Sequence, residues 1–442
     1  MRIIKITIFS LLGLMAVLAI SLFAYKAFRA SQAKNIRIPV NTQSVLKMDV
    51  DELIWAMGKN SLGNWNEYYG TKERDSTGTK KTKIWNIGVE LPASLYLFSL
   101  DQNADHYYTV LKVTNSEKLH QFLTDKLDLK VDSAYQSSDK TQKLYSKKHI
   151  HILVDQQKLL FSISKGRKAD TVIMKNLLTS DQQDWQLATA FMDKLPTDHH
   201  SDITWLSKDN NWLSVQFDNG TADIKGEINS ALFRFPKQAS SIFQDDGAND
   251  IIRAEINSDL ALLLKSQQAL VDSLKLPFDS LDRYVGNYLS IRMSNKEISQ
   301  TDTIISYDYD DNFEMVEKKE LQQTQVPDLT INLMASPHLL SYLPEKLFYK
   351  FNKAAQSNLL RMSTGSLALE QAIPWKQQAN VLNLQYKQHA VGAKYLGWLP
   401  AYDKISSFNL FAKALTERKA NLEGQISFNN KSLNAFYQLI DN

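Results

Sequence analysis

Two histidines at alternate positions are the first residues whose spacing could bind a metal ion. His149 and His151 are separated by one residue, so in a strand both side chains point to the same face. No acidic residue follows until Asp155, and Lys147 and Lys148 come directly before the pair. The pattern therefore favours a solvated strand face over a metal site.

Two other groups of potential metal ligands have equally plain interpretations. The run Asp198–Asp202, DHHSD, follows a predicted helix that ends near Pro196, and it is typical of a polar loop. An acidic group lies further on, at positions 308, 310, 311 and 314, but its spacing is not that of an EF-hand loop. Two tyrosines alternate with its first two aspartates, which favours a half-exposed strand. A metal ion at 198–202 and calcium at 308–314 remain the alternatives.

Ser162 and Lys165 match the Ser-x-x-Lys spacing of serine enzymes that recognise penicillin. That chemistry needs the serine at the start of a helix, with the lysine one turn later. Here both residues lie at the end of a predicted strand, where positions three apart point to opposite faces. The spacing does not predict a catalytic pair.

An aromatic group could form a flat binding surface. Trp65, Tyr68 and Tyr69 lie close together in NWNEYYG, before the charged, exposed loop predicted over 71–83. Such a group could bind a sugar or a protein partner. Aromatic residues are 10% of the chain, so a place in the core is the favoured interpretation.

The composition excludes several classes of function. The 442 residues include 51 basic and 48 acidic ones, a balance that does not indicate a nucleic-acid partner. There is no cysteine, which excludes disulfides, iron–sulfur clusters and thiolate chemistry. No Walker loop, dinucleotide-binding turn, His-Glu-x-x-His or Gly-x-Ser-x-Gly pattern occurs. We therefore predict no catalytic, cofactor-binding or metal-binding residue and no cofactor.

The elements that would position any site follow a recurring pattern, in which a strand is followed by a capping residue and a helical turn. It begins at VLKMDVDELIWAM, where Asp49 or Asp51 could cap the helix. Four more copies are predicted, at 111–127, 254–264, 331–343 and 424–440. The predicted caps of the first three are Asn115 or Ser116, then Ser258, then Ser336. A shortened copy lies at 226–235.

The pattern predicts an α+β fold with mainly antiparallel sheets and two tandem, similar halves, 39–240 and 245–442. TADIKGEINS at 221 and KANLEGQISF at 419 are the most similar pair of segments. The alternative is that any α+β protein with Ser and Asn caps shows this pattern. Hairpins are predicted at 149–164, 214–228 and 303–317, the second around Asn219-Gly220. Further helices are predicted at 168–178, 185–195, 277–285 and 344–355.

The N-terminal region predicts a membrane anchor. No charged residue occurs over 6–25, ITIFSLLGLMAVLAISLFAY, and 20 helical residues span about 30 Å, the thickness of a bilayer core. A basic tail, 1–5, precedes this transmembrane helix, and a linker, 26–38, is predicted after it. A cleaved signal peptide is the alternative, although Lys26 and Arg29 come before its weak cleavage site at 31–33. The large domain would lie on the exterior, periplasmic side.

The opening of the predicted domain, RIPVNTQSVLKMDVDELIWAMGKN (37–60), resembles a class of membrane-anchored bacterial envelope proteins of unknown function. The similarity lies in Ile38, Pro39, 45–48 and 51–57. It implies an exported α+β domain and assigns no catalytic residue. We expect a single-pass, non-catalytic envelope protein that binds a partner protein, a lipid or a surface polysaccharide. The alternative is a hydrolase whose site is assembled from scattered Asp, His and Ser residues.

Overall fold

The chain forms two compact units. The computed structural model describes the following residues: 21, 24–70, 87–132, 142–166, 168–180, 184–196, 201–243, 247–273, 276–309, 315–367, 375–399 and 401–440. Unit 1 runs from Met1 to Phe217 and unit 2 from Asp218 to Asn442. The boundary predicted from the repeats lies between residues 240 and 245, so the segment at 221–229 falls in unit 2.

Unit 1 opens with helical residues 24–33, here called α1, and is otherwise a sheet with short helices. Its remaining elements are β1 Arg37–Pro39, β2 Ser44–Met48, α2 Val50–Gly63, α3 Trp65–Tyr69, β3 Val89–Glu90, β4 Leu95–Ser99, β5 His106–Val113, α4 Ser116–Gln121, a π-helix Phe122–Lys126, β6 Lys130–Val131, β7 Lys143–Lys147, β8 Ile150–Val154, β9 Lys158–Ser164, α5 Thr171–Thr179, β10 Trp185–Leu187, α6 Ala188–Met192, β11 Ile203–Ser207 and β12 Trp212–Phe217.

The sheet of unit 1 is antiparallel, in the order β12-β11-β2-β4-β5-β9-β8-β7-β6. Helix α5 forms because Asp170 accepts a hydrogen bond from the Ile173 amide and apolar residues follow at helical spacing. Its Met174 and Leu178 are fully buried against Leu160 of β9. Each such side chain contributes about 1.5–3 kcal/mol on burial.

Unit 2 has the same kind of architecture, with longer strands. Its elements are β13 Thr221–Asn229, β14 Ala239–Ser241, β15 Asp250–Asn257, α7 Leu260–Ser266, α8 Gln268–Ser273, α9 Phe278–Tyr284, β16 Val285–Tyr309, β17 Met315–Ala335, a 3-10 helix Pro337–Ser341, β18 Asn352–Gln356, β19 Leu359–Ser363, β20 Lys376–Gln378, β21 Asn380–Lys387, α10 Ala390–Leu396, β22 Ile405–Ala414, β23 Lys419–Phe428 and α11 Ala435–Ile440. The main sheet is antiparallel, in the order β13-β23-β22-β21-β15-β16-β17-β19-β18. The predicted mainly antiparallel α+β class is confirmed.

Seven strands of each unit follow one topology. In unit 1 they are β2, β4, β5, β8, β9, β11 and β12, and in unit 2 they are β15, β16, β17, β18, β19, β21 and β22. Numbered by chain position within each set, both lie in the order 7-6-1-2-3-5-4 across the sheet. In both sets a helix follows the first strand, and a helix or 3-10 turn follows the third.

A row of polar side chains crosses five strands of unit 2. Directly opposed positions on β19, β17, β16, β15 and β21 carry Arg361, Asn332, Ser290, Glu255 and Asn383. Burial of these groups is offset by hydrogen bonds along the row: Arg361 Nε donates to Asn332 Oδ1 at 2.9 Å, and Asn332 Nδ2 donates to Ser290 Oγ at 3.1 Å. The row fixes the register of these strands, since a slip of one residue would bury unpaired polar atoms.

The recurring strand–cap–helix pattern is partly confirmed. Asn115 accepts a hydrogen bond from the Lys118 amide at the start of α4, and Ser336 accepts one from the His338 amide at the 3-10 helix. Ser258 does not cap α7: its Oγ accepts from the Arg234 amide instead, and Asp259 stands at the N-cap without a side-chain capping hydrogen bond. Tertiary contacts therefore changed the role of this serine.

Three of the four additional helices occur. Helices α5 and α9 lie where expected, and 185–195 contains α6 after the short strand β10, whereas 344–355 contains no helix among its described residues. In this last segment, Lys346 and Lys350 are bridge partners on either side of a tight turn, and Leu347, Tyr349 and Phe351 pack against the core of unit 2. Asn219-Gly220 forms the predicted turn, with the Asp218 amide donating to the Thr221 carbonyl.

The predicted anchor lies almost entirely outside the described residues, which include only 21, 24 and 25 of the segment 6–25. Every helix that the structure does describe is too short or too polar to span a bilayer. Of the predicted linker 26–38, residues up to 33 belong to α1, and 37–39 form β1, paired with β10.

Candidate functional site

A polar cavity of about 670 Å³, here called the α1 cavity, lies in unit 1 between α1, the start of α2 and the neighbouring ends of β2, β4 and β11. Charged side chains dominate its walls. They are the carboxylates of Asp49, Asp51, Glu52, Asp193 and Asp202 and the ammonium groups of Lys26, Lys34 and Lys47.

Asp49 stands at the end of β2, where the chain turns into α2. Its Oδ1 accepts a hydrogen bond from Ser94 Oγ at 2.6 Å, and its Oδ2 accepts one from Lys47 Nζ at 2.8 Å. Both oxygens are thus engaged, and the carboxylate does not cap the amides of α2. Asp49 therefore holds the wall of the cavity together rather than the helix.

Helix α1 is held to unit 1 by two ion pairs, here called the α1 clasp. Arg29 pairs with Asp51 through a two-pronged set of hydrogen bonds, and Arg29 Nη2 also donates to the Leu91 carbonyl at 3.0 Å. The Asp51 hydrogen bond raises the pKa of Arg29. Lys26 Nζ lies 2.9 Å from Glu52. Bidentate, partly buried pairs are the stronger kind, so the Arg29 pair carries most of the attachment.

Tyr96 contributes its ring and hydroxyl to the wall of the cavity. It is only 5% exposed, and its hydroxyl makes no hydrogen bond with any residue that the structure describes. Burial and the nearby carboxylates of Asp49 and Asp193 raise its pKa to about 12, so it is a neutral donor at physiological pH. The hydroxyl oxygen is not fully enclosed by protein, so it faces the open space of the cavity, where water or a ligand can accept its proton.

The remaining charged groups of the cavity differ in whether they have a protein partner. Asp202 is buried and its Oδ2 accepts from Gln216 Nε2 at 2.9 Å and from the Phe217 amide at 2.7 Å. Asp193 and Lys34 are exposed at the rim, and neither side chain has a partner within the described chain. The site therefore offers one free charge of each sign, together with the Tyr96 hydroxyl.

No group of three or more His, Asp or Glu residues suited to a metal ion occurs in the part of the chain that the structure describes. The histidine prediction was wrong for His151, which is 2% exposed, while His149 is exposed. His151 Nδ1 lies 3.1 Å from Ser146 Oγ, and burial lowers the pKa of its ring. Of Asp198–Asp202, only the last two residues are described, and both line the α1 cavity.

None of the remaining sequence candidates that the structure describes lines the α1 cavity. Ser162 is buried in β9, whereas Lys165 lies beyond the strand with its Nζ 3.7 Å from Asp105. The side chains at 308–314 are outside the described residues. The aromatic group was predicted wrongly as core: Trp65 and Tyr69 are 62% and 59% exposed, with ring centroids 4.5 Å apart.

Sequence reasoning missed Tyr96 and Asp193 because nothing in their local sequence marks them. Tyr96 is an ordinary inward residue of a strand, and Asp193 ends a short helix. Only the fold brings them to one cavity.

No family model and no curated protein matches the sequence. Two solved structures, crystal forms I and IV of TP0453, align with 74% and 75% of this chain and with 92% and 94% of their own. Sequence identity is 9% in both, and the TM-scores are 0.20 and 0.22. A likeness at that level carries no argument about fold or function.

Proposed function

We propose that this chain is a single-pass, membrane-anchored protein of the bacterial envelope whose exported domain binds a ligand and performs no catalysis. The observation that carries the proposal is the α1 clasp beside the α1 cavity. The apolar segment 6–25 leads directly into α1, and Arg29 fixes α1 to unit 1. An anchor ending at residue 25 would then hold the cavity within roughly 12 Å of the bilayer surface, the length of eight helical residues.

Binding suits the cavity better than hydrolysis. A general base or nucleophile needs an oxygen that is free to take a proton or attack a substrate. Asp49 is engaged with Lys47 and Ser94, and Asp202 with Gln216 and a backbone amide. The hydrolase alternative would have to use Asp193, and this carboxylate makes no hydrogen bond to a serine or histidine among the described residues.

The anchor is tested by fractionating cells that express the full chain. We expect the unprocessed protein in the membrane pellet, released by detergent but not by high salt, and degraded by protease added from the exterior. A variant with Leu14→Arg and Val17→Arg in the apolar segment should leave the pellet, because each charge costs about 2.5–3.5 kcal/mol at the centre of a span. Full-length protein in the aqueous fraction, or a cleaved N-terminus, would contradict the proposal.

We also infer that the two halves of the chain, 39–240 and 245–442, arose by tandem duplication. The common strand order 7-6-1-2-3-5-4 supports this. A second observation is independent of it: the most similar segments, β13 and β23, are antiparallel partners in which Ala222 lies opposite Ile426 and Ile228 opposite Ala420. Ala222 and Ala420 are equivalent in the two segments, as are Ile228 and Ile426, so each alanine pairs with the isoleucine of the other segment. An experimental structure checks the inference, and a different strand order in either unit would overturn it.

A further inference from the structure

A second cavity lies on the other side of α1, and both apolar and polar side chains form its walls, the polar ones including Glu90 and Lys112, which pair with each other. This space of about 420 Å³, here called the Phe28 groove, lies in unit 1 between α1 and strands β4 and β5. The apolar side chains that line it include Tyr25, Phe28, Leu91, Leu95, Val110 and Leu111. Phe28 is 60% exposed and Tyr25 is 61% exposed, so the groove is open next to the predicted anchor.

The Phe28 groove and the α1 cavity share part of their walls. Ala33, Ala93 and Tyr96 line both, and all three are buried. Ala33 of α1 and Ala93 before β4 are small, and together with the Tyr96 ring they line both spaces. The Tyr96 ring belongs to both walls, and the carboxylates of Asp49 and Asp193 act on its hydroxyl.

We propose that the Phe28 groove and the α1 cavity together bind one phospholipid with a zwitterionic, amine-bearing headgroup. An acyl chain lies in the Phe28 groove, where apolar surface is removed from water. The headgroup enters the α1 cavity, which offers the Asp193 carboxylate to an ammonium group and the Lys34 ammonium to a phosphate. The Tyr96 hydroxyl donates to an oxygen of the ligand and so gains the acceptor that the described protein does not provide.

The charge pattern selects this class of ligand. The other charged side chains of the cavity are neutralised in pairs, Lys47 with Asp49, Arg29 with Asp51 and Lys26 with Glu52, and Asp202 is hydrogen bonded by neutral groups. One free charge of each sign matches a zwitterion, whereas an anionic lipid would leave Asp193 opposite like charge. The membrane is the source because the groove begins where the predicted span ends, so this inference rests on the proposed function.

The experiment uses the full chain in detergent micelles and native mass spectrometry of three probes. These are phosphatidylethanolamine, phosphatidylglycerol and glycerophosphoethanolamine, the last being the free headgroup. We expect one phosphatidylethanolamine per chain, bound at least tenfold more tightly than phosphatidylglycerol and a hundredfold more tightly than the free headgroup. Equal binding of the two lipids, or equal binding of the free headgroup, would overturn the proposal.

Variants assign the binding to the two spaces. Ala33→Trp fills their shared wall and should abolish binding, whereas Ala27→Trp, on an exposed position of the same helix, should leave it unchanged. Asp193→Asn and Lys34→Gln should each weaken binding by about tenfold, the factor that 1.4 kcal/mol corresponds to. Asp209→Asn, at an exposed turn of unit 1, is the charge-matched control for Asp193→Asn.

The outcomes separate this inference from the proposed function. Protein that fractionates with membranes but retains no phosphatidylethanolamine refutes the lipid site and leaves the anchored binding protein intact. Protein that is found in the aqueous fraction refutes the anchor. The binding result for Ala33→Trp counts only if its thermal unfolding matches that of Ala27→Trp. Otherwise the Asp193 and Lys34 variants decide. If both of these variants bind the lipid as tightly as the original chain, the proposal is contradicted.

Discussion

The guanidinium of Arg29 and the carboxylate of Asp51 form a paired contact in which Nη2 lies 2.8 Å from Oδ1 and Nε lies 2.9 Å from Oδ2. The contact joins the helix nearest the predicted anchor to the first turn of α2. Both side chains are partly buried, 24% and 17% exposed, so water weakens the pair less than it weakens an ion pair on an open surface.

Arg29→Gln should release α1 from unit 1. We expect a loss of about 1–2 kcal/mol, because the variant removes a bidentate charged contact and leaves Asp51 partly desolvated. Hydrogen exchange of the amides at 27–33 measures the effect, which should appear there before it appears in the sheet. Lys112→Gln, which breaks the exposed pair with Glu90, is the control and should change stability by less than about 0.5 kcal/mol. Unchanged exchange at α1 in Arg29→Gln would contradict the clasp.

Tyr288→Phe should destabilise unit 2. The Tyr288 hydroxyl donates to Glu255 Oε1 at 2.6 Å inside the sheet, and burial beside that carboxylate raises the pKa of the phenol. Removing the hydroxyl takes a donor from a buried carboxylate, which costs about 1.5–3 kcal/mol. The midpoint of urea unfolding measures this. Tyr284→Phe removes a hydroxyl that has no described hydrogen bond and should leave the midpoint in place; equal shifts in both variants would disprove the role of the Glu255 contact.

Gly220→Ala should destabilise the turn before β13. Gly220 has a φ of +70°, and a Cβ there would lie 2.6 Å from Lys431 Cα. Both the positive φ and the contact with backbone disfavour any side chain, so we expect a loss of about 1–3 kcal/mol. Thermal unfolding checks it. Gly166→Ala is the matched control, since a Cβ at Gly166 meets nothing within 4 Å; a tolerated Gly220→Ala would show that the turn is built differently.

His151 should make unit 1 less stable in acid. Burial lowers its pKa below the ordinary value of 6.5, so in the window between the two values the unfolded chain binds a proton that the folded chain does not. The free energy of unfolding therefore falls as pH drops from 6.5 to the folded-state pKa of His151. Above and below that window, the contribution of His151 to the free energy of unfolding does not change with pH. The charged groups acting on the ring are His106, His149 and Asp132.

Urea unfolding of His151→Gln at pH 7.5 and pH 5.5 tests this expectation. The variant should lose less stability than the original chain between the two values, because it has no imidazole to protonate in the unfolded state. His149→Gln, at an exposed position before the same strand, should keep the full loss. An unchanged loss in His151→Gln would assign the acid sensitivity to other groups.

Local signals predicted the elements whose cause is local. The cap of α4 by Asn115 and the turn at Gly220 were predictable because each interaction joins residues within four positions along the chain. The predictions failed where distant residues decided. The segment 344–355 was predicted as a helix, but it makes a tight turn against the core of unit 2 and its end pairs with β19. His151 was predicted as solvated, but the sheet and its neighbours bury it.

The sequence by itself determined the α+β class, the antiparallel pairing of hairpins, the caps and turns, and the absence of thiol chemistry, because composition and short-range periodicity set these properties. Only the tertiary structure decided that Tyr96, Asp193 and Lys34 line one cavity, and that β13 and β23 are partners although they lie about 200 positions apart in the sequence. Such contacts join residues far apart in the chain, and their energy depends on what packs around them rather than on the letters beside them.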